Sequence, residues 1–150
     1  MSKRIFVAID SSPTAAKALE EAIELAKALR ANLCIAHASD ESSLMQHGMG
    51  LGSYIDVDKV KVEIQEAANK LLDQAVAKAV GAGVQPERLQ IESTEKRVAE
   101  MLAEAAKKWR ADLMVVGTHG RRGVQRLLVG SVAENLVRIG GTSLLLVRGK

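Results

Sequence analysis

The chain has 150 residues, 47% apolar and 26% charged, which fits one globular domain able to bury about two thirds of the surface its unfolded form exposes. No apolar run approaches the ~20 residues of a membrane span, and the run after Met1-Ser2-Lys3-Arg4 ends at Asp10, too short for a secretory signal core, so a cytoplasmic location is expected. Within a formal net charge of +3 the excess is local: from Gly117 onward Arg121, Arg122, Arg126, Arg138, Arg148 and Lys150 face one acid, Glu134, so this part favours an anion.

Residues 3–9 (K-R-I-F-V-A-I) are β-rich without the alternation of a half-exposed strand, which predicts a central strand buried on both faces. Asp10-Ser11-Ser12-Pro13 then reads as a helix start, with the serines as capping residues and Pro13 at the first helical position. Leu19, Ile23, Ala26 and Leu29 hold helical spacing to about Arg30. Leu33 to Ala38 predicts a second buried strand, and its Cys34, the single cysteine, reads as a buried thiol in a reducing compartment. Ser39 to Asp58 has three glycines, scattered methionines and no sustained period. It is expected to be a long loop, with a lid, a partner contact and plain disorder as open readings.

From about Lys59 to Val80, Ile64, Ala68, Leu71, Ala75 and Ala79 repeat at helical spacing up to a stop at Gly81–Gly83, giving the longest helix. Pro86 precedes a short strand, Arg88 to Glu92, and Ser93 or Thr94 is the expected cap of a helix with the face Val98, Leu102, Ala105, Ala106 and Trp109. Ala111 to Gly117 is a fourth strand, Ser131 to about Ile139 a fourth helix, Gly140-Gly141 its stop and Ser143 to Arg148 a fifth strand. Each strand-helix-strand passage is long enough for a crossover, which predicts an α/β domain with a largely parallel sheet. Such sheets bind ligands beyond the C-terminal strand ends, where strand order reverses; Asp10, Ala38 and Gly117 are each expected at such an end.

Between the fourth strand and fourth helix lies G-T-H-G-R-R-G-V-Q-R-L-L-V-G-S, Gly117 to Ser131. Its glycines at 117, 120, 123 and 130 would let backbone N–H groups approach an anion, and a helix starting at Ser131 adds donors and partial positive charge. The alternative is an ordinary strand-to-helix connection. Gly130-Ser131 lacks the lysine of G-x-x-x-x-G-K-[ST], and the spacing 117, 120, 123 is not G-x-G-x-x-G. One Trp, one Tyr and one Phe make no platform for single-stranded nucleic acid, so a nucleotide or other small phosphate fits better than a polymer. His37, His47 and His119 lie on separate segments without ligand spacing, and no dedicated metal site is expected. Arg121, Arg122 and Arg126 either screen phosphates or are solvated loop charges. His119 more simply orients the loop or stacks on ligand than acts as a base, because no partner carboxylate or nucleophile is implied; no catalytic residue is assigned.

The pattern G-x-x-G, nine residues, G-S (Gly117, Gly120, Gly130-Ser131) resembles the nucleotide-binding signature of the ATP-binding subgroup of the universal stress protein family. The resemblance extends over nearly the whole chain, through V-A-I-D-S-S at 7–12, I-A-H-A at 35–38, A-D-L-M-V-V-G-T-H-G-R-R-G at 111–123 and L-L-V-G-S-V-A-E-N-L-V-R at 127–138. It implies a single Rossmann-like domain: an open, mostly parallel five-stranded sheet in the order 3-2-1-4-5 with helices on both faces. By the same resemblance Asp10 lies by the nucleotide and Ala38 meets adenine through its backbone, while Val116, Gly117, Gly120, Arg121, Gly130, Ser131 and Val132 line the ribose and phosphate loop. The implied ligand is ATP, or ADP or AMP, with Mg²⁺ or Mn²⁺ carried through the phosphates. The implied role is a stress-response module whose bound nucleotide biases an unidentified protein partner, in a homodimer joined through Ser143 to Arg148, without nucleic acid or membrane partners. Slow ATP hydrolysis or adenylate transfer, with Asp10 positioning a metal, is the enzyme alternative, and a nucleotide-free chaperone-like dimer a third reading. The chain departs from the family pattern at S-T-E-K-R (Ser93 to Arg97), where a glycine-containing turn is usual, and at Gly141-Thr142-Ser143, where a proline is usual.

Overall fold

Strands and helices alternate in the computed structural model, which describes residues 3–40, 57–93, 96–118 and 130–149. The elements are β1 (Arg4–Ala8), α1 (Pro13–Leu29), β2 (Asn32–Asp40), α2 (Val57–Gly81), β3 (Glu87–Ser93), α3 (Val98–Trp109), β4 (Leu113–Gly117), α4 (Ser131–Ile139) and β5 (Ser143–Val147). All neighbouring strands are parallel, in the order β3-β2-β1-β4-β5. The expected α/β architecture and strand order are therefore borne out.

The unbroken apolar character of β1 follows from its central position. Successive side chains point to opposite faces of a strand. Ile5 and Val7 join Leu33, Ile35 and Val115 in a core closed by α1 and α2, whereas Phe6 joins Cys34, Ala36, Met114 and Val116 in a second core closed by α3 and α4. The two helix pairs take opposite faces because the chain first winds outward from β1 to β3, then crosses back to β4 and β5. With crossover handedness kept, reversing direction moves the helices to the other face. β1 and β4 thus mark the point where strand order reverses.

Several boundaries depart from the sequence expectation. β2 extends to Asp40, so Ser39 and Asp40 are strand rather than loop, and α2 takes up Val57 and Asp58. The rest of the expected loop, 41–56, lies outside the described residues. Ser93 ends β3, and the N-cap of α3 is Arg97, with no side-chain cap bond, so the expected Ser93 or Thr94 cap is replaced. β4 begins at Leu113, because the Ala111 amide turns back to the Ala106 carbonyl (2.9 Å) and closes the end of α3. That end passes through Arg110 in the left-handed region (φ 62°), as the end of α1 does at Arg30 (φ 53°). Trp109 is half-buried beside Phe6, with the Arg4 guanidinium 3.9 Å from its ring centroid and its indole N–H donating to Glu87 (3.0 Å).

Candidate functional site

The loop after β1 is built by its own polar side chains. An Asp10 carboxylate oxygen accepts the Ser12 amide at 2.8 Å, and the Ser12 hydroxyl accepts the Ala15 amide at 3.2 Å, capping α1 with Pro13 at its first position. The expected cap at Ser12 is thus found, and one oxygen of Asp10 serves the turn.

This arrangement brings the first turn of α1 against the end of β4. A Cβ on Gly117 would stand 2.7 Å from Thr14 Oγ1, 2.9 Å from Thr14 Cβ and 3.0 Å from the Thr14 carbonyl carbon, distances that Cβ atoms do not tolerate. The close approach therefore requires glycine at 117, with α1 as the approaching partner. On its far side Thr14 meets Gly149, where a Cβ would stand 2.6 Å from Thr14 Cγ2. Thr118 extends β4 by one link: its amide donates to Val147 O (2.9 Å), and its carbonyl accepts the Gly130 amide. This second bond fixes the start of α4 directly beyond β4.

The two helix starts differ. Gly130 is the N-cap of α4, extended at φ −73° and ψ 167°, and makes no side-chain cap bond. The first amides of α4 have no partner within their own helix and, among the described residues, take no cap bond from the N-cap side chain; they stand at the positive end of its dipole. Ser131 is exposed and Val132 half-buried, while Val116 is buried in the α3/α4 core, so only its main chain is available at the end of β4. Gly120 and Arg121, together with His119, Arg122 and Arg126, lie outside the described residues.

The remaining wall comes from β2. Its pairing with β1 ends at Ala36 opposite Ala8, and the Ile9 amide donates to Ala36 O at 2.8 Å. β2 continues through Asp40, held by β3 on its other side. Main-chain groups alternate sides along a parallel ladder, so Ala38, two residues after Ala36, turns its N–H and C=O toward the β1 side, beyond the point where β1 has ended. His37 closes the corner below, its Nδ1–H donating to Ile9 O at 2.8 Å.

Asp10, Ala38, Gly117, Gly130 and Ser131 thus border the C-terminal ends of β2, β1 and β4. Sequence reasoning missed Thr14, Thr118 and Ser39. Only Ser39 left a usable signal, the continued alternation A-H-A-S after Ile35. No group of three or more His, Cys, Asp or Glu suited to a metal ion occurs among the described residues.

A model of the universal stress protein family matches residues 1–148. The chain belongs to that family. This universal stress protein is 32% identical over 151 residues to universal stress protein YxiE of Bacillus subtilis (strain 168), covering 99% of this chain and 100% of the relative. It is similar to the crystal structure of a family protein from Burkholderia pseudomallei, with 32% identity and a TM-score of 0.77 over 97% of this chain and 95% of the other. A universal stress protein solved in complex with cAMP shares 25% identity and a TM-score of 0.69, covering 99% of this chain and 98% of the other. No helix among the described residues is long and apolar enough to cross a membrane.

Proposed function

We propose that this chain binds an adenine nucleotide, ATP, ADP or AMP, across the ends of β2, β1 and β4, and acts as a cytoplasmic regulatory module rather than an efficient enzyme. The observation that carries this reading is the pairing of two unlike recognition elements. On one side stands the start of α4, where Gly130 supplies no side-chain cap, suited to a phosphate. On the other stands the main-chain edge of Ala38, a donor and an acceptor suited to a base. β1 lies between them, and two strand spacings make the gap about 10 Å, a length that one nucleotide bridges. The related universal stress protein solved with cAMP supports an adenine nucleotide as the ligand class.

In this reading the amides of Ser131 and Val132 meet phosphate oxygens, with Gly120 and Arg121 contributed by the glycine loop. Asp10, one oxygen already fixed by the Ser12 amide, turns the other to the ribose hydroxyls. Mg²⁺ or Mn²⁺ enters through the phosphates. The regulatory state is a homodimer: β5 is a sheet edge, its residues 144–147 are only partly buried, and a second copy pairing along Ser143 to Arg148 satisfies its open main-chain groups. Mass spectrometry of whatever leaves the purified protein on heat denaturation tests the ligand assignment. An adenine nucleotide is the expected product; no nucleotide released, and no binding of added AMP or ATP, would overturn it.

A further inference from the structure

The end of the sheet opposite the crevice, where the strands begin, concentrates positive charge. Lys27 lies in the last turn of α1, and Lys107 and Lys108 in that of α3, where they complement the negative ends of the helix dipoles. Arg30 and Arg110 cap the same two helices, each in the left-handed region, at φ 53° and 62°. Glycine takes that conformation without penalty, so the dipoles account for cations in the last turns but not for arginine at either cap. These side chains and Lys3 are exposed, and none of them makes an ion pair among the described residues. The acids at the strand starts are Asp112, which accepts the Arg4 amide (2.8 Å), and Glu87, which accepts the Trp109 indole N–H (3.0 Å).

The path of the chain sets these cations across the sheet. The Asn32 amide donates to Lys3 O (2.9 Å) and the Asp112 amide to Arg4 O (2.7 Å), so the segments after Arg30 and Arg110 enter β2 and β4 on the two sides of β1. α1 and α3 pack on opposite faces, which leaves Lys3, at the head of the central strand, between the two arginines. Leu29, 53% exposed, precedes Arg30. Two strand spacings, about 10 Å, separate the starts of β2 and β4, a span that about three residues of extended chain cover. We infer that this end of the sheet docks an extended acidic segment of a protein partner, with carboxylates on Arg30, Lys3 and Arg110 and an apolar side chain on Leu29. Nucleic acid fits less well, because the Arg4 guanidinium covers the Trp109 ring at 3.9 Å and leaves no open face there for bases. A lipid surface also fits less well: the exposed large apolar side chains Leu29, Val80 and Ile139 sit at the ends of three separate helices rather than along one inserting face. The crevice lies at the other end of the strands, so the inference is independent of the nucleotide reading.

The test is fluorescence anisotropy of a fluorescein-labelled glutamate-rich peptide with interspersed leucines, titrated with wild type, Arg30→Gly/Arg110→Gly and Lys61→Gln/Lys70→Gln. The last variant removes the same charge from α2. Glycine suits both left-handed positions, so Arg30→Gly/Arg110→Gly melts no lower than wild type and its lost binding is not lost folding. Wild type binds the peptide, more weakly as salt rises. Loss of two exposed charge pairs weakens binding by about 2- to 30-fold in Arg30→Gly/Arg110→Gly, against less than about twofold in Lys61→Gln/Lys70→Gln. Equal weakening in the two variants, or no binding to wild type, overturns the inference. So does tighter binding of wild type to an RNA oligonucleotide or to phosphatidylserine vesicles than to the peptide; each of these results leaves the nucleotide site standing.

Discussion

Gly117→Ala tests how the start of α1 is held against the end of β4. The added methyl meets Thr14 at three atoms, Oγ1 at 2.7 Å, Cβ at 2.9 Å and the carbonyl carbon at 3.0 Å. Rotating the Thr14 side chain relieves only the first. Cβ and the carbonyl carbon belong to the start of α1, which the Ser12 cap and the Asp10 turn hold in place. Either that helix start or the end of β4 must shift, and overpacking of this kind costs typically 1–3 kcal/mol. At about 2–4 °C per kcal/mol for a chain of this size, the melting temperature falls by roughly 2–12 °C. Gly149→Ala supplies the control. Its methyl meets Thr14 Cγ2 at 2.6 Å, but the next atom, Thr14 Cβ, is at 3.9 Å. Thr14→Ser removes Cγ2, so it rescues Gly149→Ala in a double-mutant cycle but leaves most of the Gly117→Ala penalty. Urea denaturation of the three single variants, the two double variants and wild type gives the coupling energies. A Gly117→Ala cost below about 0.5 kcal/mol, or its full rescue by Thr14→Ser, refutes the reasoning.

Ser12→Ala removes the cap of α1 and costs about 1 kcal/mol by urea denaturation; no loss would mean that the Ala15 amide finds another acceptor. Arg110→Gly relieves a left-handed non-glycine residue and raises stability by up to about 1 kcal/mol, read as a higher denaturation midpoint at unchanged slope. Burial, followed by the Glu87 carboxylate, pushes the Cys34 thiol from 9.0 up to about 12. Below the unfolded-state value both states keep the proton; above it the unfolded chain releases its proton first. Stability thus falls with rising pH by at most about 1.4 kcal/mol per unit until the folded thiol ionises. Comparison with Cys34→Ala between about pH 8 and about pH 10.5 isolates this slope, and identical slopes for the two proteins would contradict it.

What was legible in the sequence followed from periodicity and from local chemistry. β1 and β4 stand out because strands covered on both faces are apolar at consecutive positions, and the helices because one face of each enters a core. Ser12, Pro13 and the Gly81, Gly140 and Gly141 stops act within a few residues of themselves, so the sequence displays them. Boundaries set by hydrogen bonding alone were not displayed: Ser39 and Asp40 are strand because β3 pairs with them, whatever their polarity. The site divided along the same line. Asp10, Gly117 and Gly130-Ser131 carry recognisable residue types at strand and helix ends. Gly117 reads from sequence as room for an anion, whereas the contact that forbids a side chain there is Thr14, far away in the chain. Thr118 joins β4, β5 and α4 through main-chain groups, which every residue has, so its type carries no signal.

The most direct measurement of the nucleotide reading uses Gly130→Asp. Position 130 is extended, which suits an aspartate cap, and the carboxylate would accept the first amides of α4 while placing negative charge where a phosphate is expected. Calorimetric titration of wild type and Gly130→Asp with AMP and with adenosine separates phosphate recognition from base recognition. The account predicts that wild type binds AMP, that Gly130→Asp melts at least as high yet loses AMP affinity by tenfold or more, on the order of 1.4 kcal/mol, and that adenosine binding is little changed. Equal AMP affinity in the two proteins, or no binding to wild type, would contradict it.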